Sequence, residues 1–175
     1  MVRYDAYNSE CLVFTYKDGL LSRIAHDLKL RVERFSIEVD EDTHAISATF
    51  DPSSVRVVCA QVDGRDDPST LTKGDKKKIA DNVAKDVLRV RKHPEIRFDS
   101  TNVVQRGEGF AVEGTLQLHG KSRGIQTSIR ADGDRWVTEV KIHQPDFGIK
   151  PYTAALGALK VKPDVVVRID CPRES

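Results

Sequence analysis

His26 followed by Asp27 is the one place in this sequence where an imidazole stands next to a carboxylate. Such a pair is the elementary unit of acid–base chemistry near neutral pH. Neighbouring residues in a strand point to opposite faces, however, so a structural or capping role is the first reading. The five histidines, His26, His44, His93, His119 and His143, show neither HxH nor HxxxH spacing. A metal site would need the fold to gather them. Cys11, Cys59 and Cys171 form no CxxC pair, and buried reduced thiols are expected of them. There is no G-x-S-x-G nucleophile turn, and Gly107-Glu108-Gly109 lacks the further glycine and helix of a phosphate loop. No catalytic residue, metal or cofactor is therefore assigned, and the chain reads as a non-enzyme. The alternative is a small hydrolase or isomerase acting on an apolar substrate, with His26 or His119 working beside a carboxylate.

The net charge of +1 is spread along the chain, which argues against bulk nucleic-acid binding. No run of about 18 uncharged apolar residues exists to cross a bilayer as a helix. Arg3, Asp5, Glu10, Lys17, Asp18 and Arg23 leave no room for the apolar core of a signal peptide. A cytoplasmic location is the expectation, or a periplasmic one if a leader has been trimmed.

The elements that must position any site are strands. Apolar residues alternate at Leu12, Phe14 and Tyr16, at Leu28, Leu30 and Val32, and at Ile37 and Val39. The pattern continues at Ile46, Ala48 and Phe50, at Val55, Val57 and Cys59, and at Ile96 and Phe98. It resumes from Phe110 to Leu118, from Ile125 to Ile129, from Trp136 to Ile142 and from Val165 to Ile169. Period-two alternation means strands with one apolar face. Asp132-Gly133 and the other short turns between them imply an antiparallel meander. One segment differs. Ile79, Val83 and Val87 recur at helical spacing within residues 74–91, and Pro94 stops the run. A second helical turn is read at residues 152–156. The fold class is all-β, an extended antiparallel up-and-down barrel with one amphipathic helix, and a two-layer sandwich is the alternative. All of residues 1–175 form one domain, with its core at about 10–171.

Three stretches then become recognisable in order. They are His93-Pro94-Glu95-Ile96-Arg97-Phe98, Gly114-Thr115-Leu116-Gln117-Leu118-His119-Gly120-Lys121-Ser122-Arg123 and Asp146-Phe147-Gly148-Ile149. With a last strand at Val165-Val166-Val167-Arg168-Ile169, the chain resembles the YceI-like family. That resemblance implies a lipocalin-like barrel that holds a polyisoprenoid, an isoprenoid quinone or a fatty-acid-like amphiphile in an apolar tunnel, for binding, storage or transport. Two departures stand out. The region Leu21 to Asp27 matches loosely. After Arg65-Asp66, where the family tends to be apolar and aromatic, residues 67–78 are polar and lysine-rich.

If the alternation faces inward, the tunnel wall comprises Phe14, Leu28, Leu30, Phe50, Val57, Phe98, Phe110, Leu116, Trp136 and Ile142, with Phe147 and Tyr152 at a mouth. The expected partner is a long-chain isoprenoid or other amphiphilic lipid. The basic helix face reads first as a solvated surface, since Asp75, Asp81 and Asp86 offset its lysines. Its second reading is a hold on an anionic head group or a transient membrane contact. A two-fold homodimer is the assembly that symmetry preferences favour. The third reading is a filled, ligand-free stress or interaction module.

Overall fold

The structure, a computed structural model, describes residues 1–19 and 25–173. Four of the loosely matching residues, Leu21 to Ile24, lie outside the described residues. The first strands are β1 (Val2–Asp5) and β2 (Glu10–Thr15). β3 (Asp27–Val32) and β4 (Phe35–Val39) are halves of one strand bent at Glu33-Arg34. β5 (Ile46–Phe50) and β6 (Val55–Val62) follow one another round the same corner through a short 3-10 turn, Pro52–Ser54. The bend keeps its hydrogen bonds. Asp51 N donates to Arg34 O at 3.0 Å, and Arg34 N donates to the fully buried Ser54 Oγ at 2.9 Å. A buried hydroxyl with its partners made costs nothing extra, so the corner is stable as well as sharp.

β7 (Arg65–Asp67) follows β6 in a tight hairpin, and α1 (Lys73–Asn82) comes next. Then come β8 (Ile96–Arg106), β9 (Gly109–Leu118), β10 (Lys121–Asp132) and β11 (Arg135–His143). A small hairpin, β12 (Thr153–Ala154) and β13 (Leu159–Lys160), precedes the last strand, β14 (Asp164–Pro172). One twelve-stranded antiparallel sheet has the order β1-β4-β5-β8-β9-β10-β11-β14-β2-β3-β6-β7. Since β3 runs into β4 and β5 into β6, the pairings lead round the sheet, from β14 to β2 to β3 and back through β5 to β8. The sheet therefore curls on itself as a barrel, which removes most exposed edges.

The helix is shorter than its apolar stripe suggested. Thr72 and Asp75 close a capping box at its start, with Asp75 N donating to Thr72 Oγ1 at 3.1 Å and Thr72 N to Asp75 Oδ2 at 2.9 Å. After Asn82 the chain widens into a π-type turn, Val83–Val87, with Leu88 N bonded to Val83 O at 2.8 Å. Widening by one residue brings Val87 and Leu88 both onto the face that meets the barrel interior. The helical turn read at residues 152–156 is instead the β12–β13 hairpin. Its tip holds Ala155, Leu156 and Gly157 at φ of 50°, 56° and 87°. No right-handed helix can run through such a tip.

Candidate functional site

The inner face of the barrel encloses a cavity of about 780 Å³. That lies in the upper part of the range of ligand pockets, roughly 300–1,000 Å³. A filled barrel is thereby excluded. Leu28, Leu30, Phe50, Phe98, Phe110, Leu116, Trp136, Ile142 and Tyr152 all stand on its wall.

Phe14, Val57 and Phe147 do not stand there. β2 runs Glu-Cys-Leu-Val-Phe-Thr, apolar on both faces, and its pairing with β14 and β3 turns Cys11, Val13 and Thr15 inward. Phe14 faces out, opposite Lys29 and Val166. Val57 sits opposite Leu30 in the core, beneath the wall. Phe147 is buried in a second cluster with Leu116, Leu118, Ile142 and Ile149. The register of β6 against β3 shifts beside Lys29, where Cys59 pairs with Lys29 and Val57 with Leu30. That bulge turns Cys59 outward, against the alternation of Val55 and Val57.

Residues that alternation alone did not assign complete the wall. Ile79, Val83, Val87 and Leu88 close it from the helical segment, as the amphipathic stripe allowed. The polar groups of the middle wall satisfy one another. Thr127 Oγ1 and Thr138 Oγ1 lie 2.9 Å apart, and Thr127 Oγ1 donates to the Glu139 carbonyl at 3.1 Å. A guest beside this pair meets hydroxyls already bonded, so an apolar chain loses nothing there by lacking acceptors.

The two ends of the cavity differ. At the end formed by the β8–β9 and β10–β11 turns, Phe110 packs edge-on against Trp136 with centroids 5.6 Å apart, and His44 lies 5.2 Å from Phe110. The guanidinium of Arg173 sits 4.8 Å from the Trp136 ring. The other end carries a polar rim of Thr70, His26, Asp75, Lys78, Asn82 and Tyr152. Asn82 Nδ2 donates to Tyr152 Oη at 3.1 Å, joining helix to hairpin. Hydrogen bonds from Thr72 hold the Asp75 carboxyl below its usual range, with smaller help from Lys78 and His26.

His26 and Asp27 form no dyad. Asp27 Oδ1 instead accepts from Lys17 N at 2.8 Å, tying the start of β3 to the chain that follows β2. Burial pushes the Cys11 thiol up to about 12, with nearby Cys171 adding to the shift, so it is no nucleophile at neutral pH. All three cysteines are buried and unpaired.

His119 stands off the wall. Its Nδ1 lies 3.3 Å from the Phe147 carbonyl, which only accepts, so Nδ1 carries the proton. Nε2 is buried without a partner. The His93 ring lies 4.4 Å away, centroid to centroid. Burial first, and then the positive field of His93, Arg89 and Lys92, lower the His119 pKa below 6.5. The unfolded chain therefore binds this proton first as pH falls. Its contribution is intact above pH 6.5 and is lost as pH drops through the lower folded value. His119→Asn suits the φ of 54° and can still donate to Phe147. It is expected to flatten the decline of the melting temperature below pH 6.5. Parallel thermal-unfolding profiles for the two proteins would refute that assignment.

The three recognisable stretches touch one another. Phe98 lies over Gly114, where an added Cβ would come within 2.4 Å of its ring. His93 lies over Gly120, and Lys121 over Gly148. His119 reaches Phe147. These residues are thus chiefly a brace for one end of the barrel, and only some of them, such as Phe98 and Leu116, also face the cavity.

A hollow antiparallel barrel of this build is lipocalin-like in class. The YceI-like domain family matches residues 9–172, and the chain belongs to that family. A UPF0312 protein of Serratia proteamaculans is 30% identical over 93 residues, 47% of each chain. A UPF0312 protein of Photorhabdus laumondii is 31% identical over 101 residues, 52% of this chain and 51% of its own. The chain spans about half the length of these curated relatives in the match. Among solved structures, Burkholderia cenocepacia BcnA superimposes with a TM-score of 0.63 at 16% identity, over 95% of this chain and 96% of that one. A polyisoprenoid binding domain from Saccharophagus degradans gives 0.61 at 14% identity, over 93% and 91%. At these identities the likeness concerns the fold.

Proposed function

We propose that the protein binds and carries one long apolar chain, isoprenoid or fatty-acid-like, bearing a small polar head. The observation that carries this reading is the cavity itself, apolar along its length and polar at one rim. Each methylene moved from water into such a wall gains about 0.8 kcal/mol, so chain length alone supplies affinity. The head sits beside His26, Lys78, Asn82 and Tyr152. Thr70, Asp75 and Lys78 come from the segment that departs from the family's apolar pattern. A more polar head than the family's usual guest suits that exchange. The name of the Saccharophagus degradans domain supports an isoprenoid-type guest, and binding rather than catalysis. Three unpaired thiols support a reducing compartment such as the cytoplasm.

Native mass spectrometry of freshly purified protein, with organic extraction of the same sample, tests the reading. One amphiphile per chain is expected. Protein that carries none and also fails to take up a fluorescent long-chain fatty acid would sink it.

A further inference from the structure

Of the large apolar side chains left exposed among the described residues, Met1, Tyr7, Val62 and Leu156, only Leu156 stands on a hairpin whose two stems line the cavity. Tyr152 and Ala154 line it from one stem, and Leu159 and Val161 from the other. The stems are anchored. Lys17 bridges to Val161, Lys162 N donates to Tyr16 O at 2.8 Å, and Asp18 N to Lys160 O at 2.9 Å. The tip is not packed at all. Left-handed backbone at Ala155, Leu156 and Gly157 turns the leucine fully into solvent.

The charge around this tip is one-sided. Residues 148–163 contain Lys150, Lys160 and Lys162 and no acid. None of the three lysines is in an ion pair among the described residues. The helix joined to this hairpin through Asn82 and Tyr152 adds Lys73, Lys76 and Lys78. Lys77 is neutralised by Asp81 at 2.6 Å. The acids nearest in sequence or contact are Asp18, Asp146 and Asp164, the last paired with His143 and Lys141, and, on the helical segment, Asp75, engaged in the cap, and Asp86. An apolar point set among unpaired lysines matches the interface of a bilayer with anionic head groups.

We propose that this hairpin docks the polar rim of the barrel onto an anionic lipid surface, with Leu156 inserted between head groups. The inference rests on the lipid-carrier reading and names the surface from which the guest is collected or to which it is delivered. Docked this way, the rim faces the bilayer, and a guest passes between membrane and cavity without crossing bulk water.

Flotation with vesicles tests it on the full chain. Phosphatidylcholine vesicles with phosphatidylglycerol are expected to carry the protein up the gradient, and vesicles of phosphatidylcholine alone far less. Leu156→Asn suits the left-handed backbone, keeps the melting temperature, and is expected to weaken vesicle binding about tenfold through lost apolar burial. Each of Lys150→Gln, Lys160→Gln and Lys162→Gln is expected to weaken it about fivefold, in a salt-dependent manner. All four variants are expected to keep wild-type affinity for a fluorescent fatty acid in solution. Wild-type protein that ignores anionic vesicles overturns the proposal. So does a Leu156→Asn variant that floats as well as wild type. A dimer that Leu156→Asn converts to monomer overturns it too, since the tip would then be an interface between copies. An empty cavity with normal flotation counts against the carrier reading and leaves the docking surface standing.

Discussion

Gly114→Ala is expected to destabilise the barrel by about 3 kcal/mol, an unusually large effect for adding one methyl group to a strand. The Cβ would come within 2.4 Å of two carbons of the Phe98 ring and within 2.6 Å of the Asp99 carbonyl oxygen. The ring is on a side chain and can move toward the cavity. The carbonyl cannot. Its strand shifts register between Ser100 and Asn102, opposite Gly114 and Glu113, and the shift is held from the other side by Ile46 N, which donates to Ser100 Oγ at 2.8 Å. Moving Asp99 therefore strains the β5–β8 pairing as well. Urea unfolding of the single and double variants with Phe98→Ala separates the two contacts. In the Phe98→Ala background the cost of Gly114→Ala is expected to fall by about 1–2 kcal/mol, the residue belonging to the carbonyl. Strictly additive losses would show that the ring is not what requires glycine here.

The same contact explains why those stretches were recognisable at all. Glycine at 114 and aromatic at 98 are one packing unit read from two strands. Glycine at 120 and histidine at 93 are another, and the Phe147 carbonyl closes the set through His119. A linear sequence shows these as separate short patterns, and only the fold shows that each exists for the next. They made the family legible without making the ligand legible, because their common work is bracing.

Most inward faces were readable because one face of each strand is apolar and the other charged. In β10, Ile125, Thr127 and Ile129 alternate with Gln126, Ser128 and Arg130, and the inward set follows directly. β2 offered no such contrast. Leu12 and Phe14 compete with Cys11 and Val13, and only hydrogen-bond register decides between them. Cys59 was lost to a bulge that no residue announces. The hairpin at residues 153–160 was hidden by Ala154, Ala155 and Leu156, all good helix formers whose local preference the flanking pairing overrides. Of the polar rim, only Tyr152 and the helix lysines were signalled, because the rest of its residues come from a loop and a helix far apart in sequence.

Filling the cavity gives the second large effect, and its signature is opposite in sign to that of Gly114. Val140 and Val167 are cross-strand partners, both on the wall and both only half-buried. Facing inward, they owe their remaining exposure to empty space. Val140→Phe with Val167→Phe therefore adds volume where nothing must move, and a facing aromatic pair suits neighbouring strands. Stability is expected to hold or rise. Overpacking a filled core would instead lose about 1–3 kcal/mol for each enlarged residue. Binding behaves differently. If the two rings exclude about four methylene groups of a guest, the loss is about 3 kcal/mol, roughly two-hundredfold in affinity for a long-chain fluorescent fatty acid. Phe14→Ala provides the contrast, because its ring lies on the outer face and the same titration should leave its affinity unchanged. A double variant that melts early and still binds normally would mean that the guest lies elsewhere than between β11 and β14. Weakened binding in Phe14→Ala alone would restore the inward reading of β2 that the register of this barrel rejects.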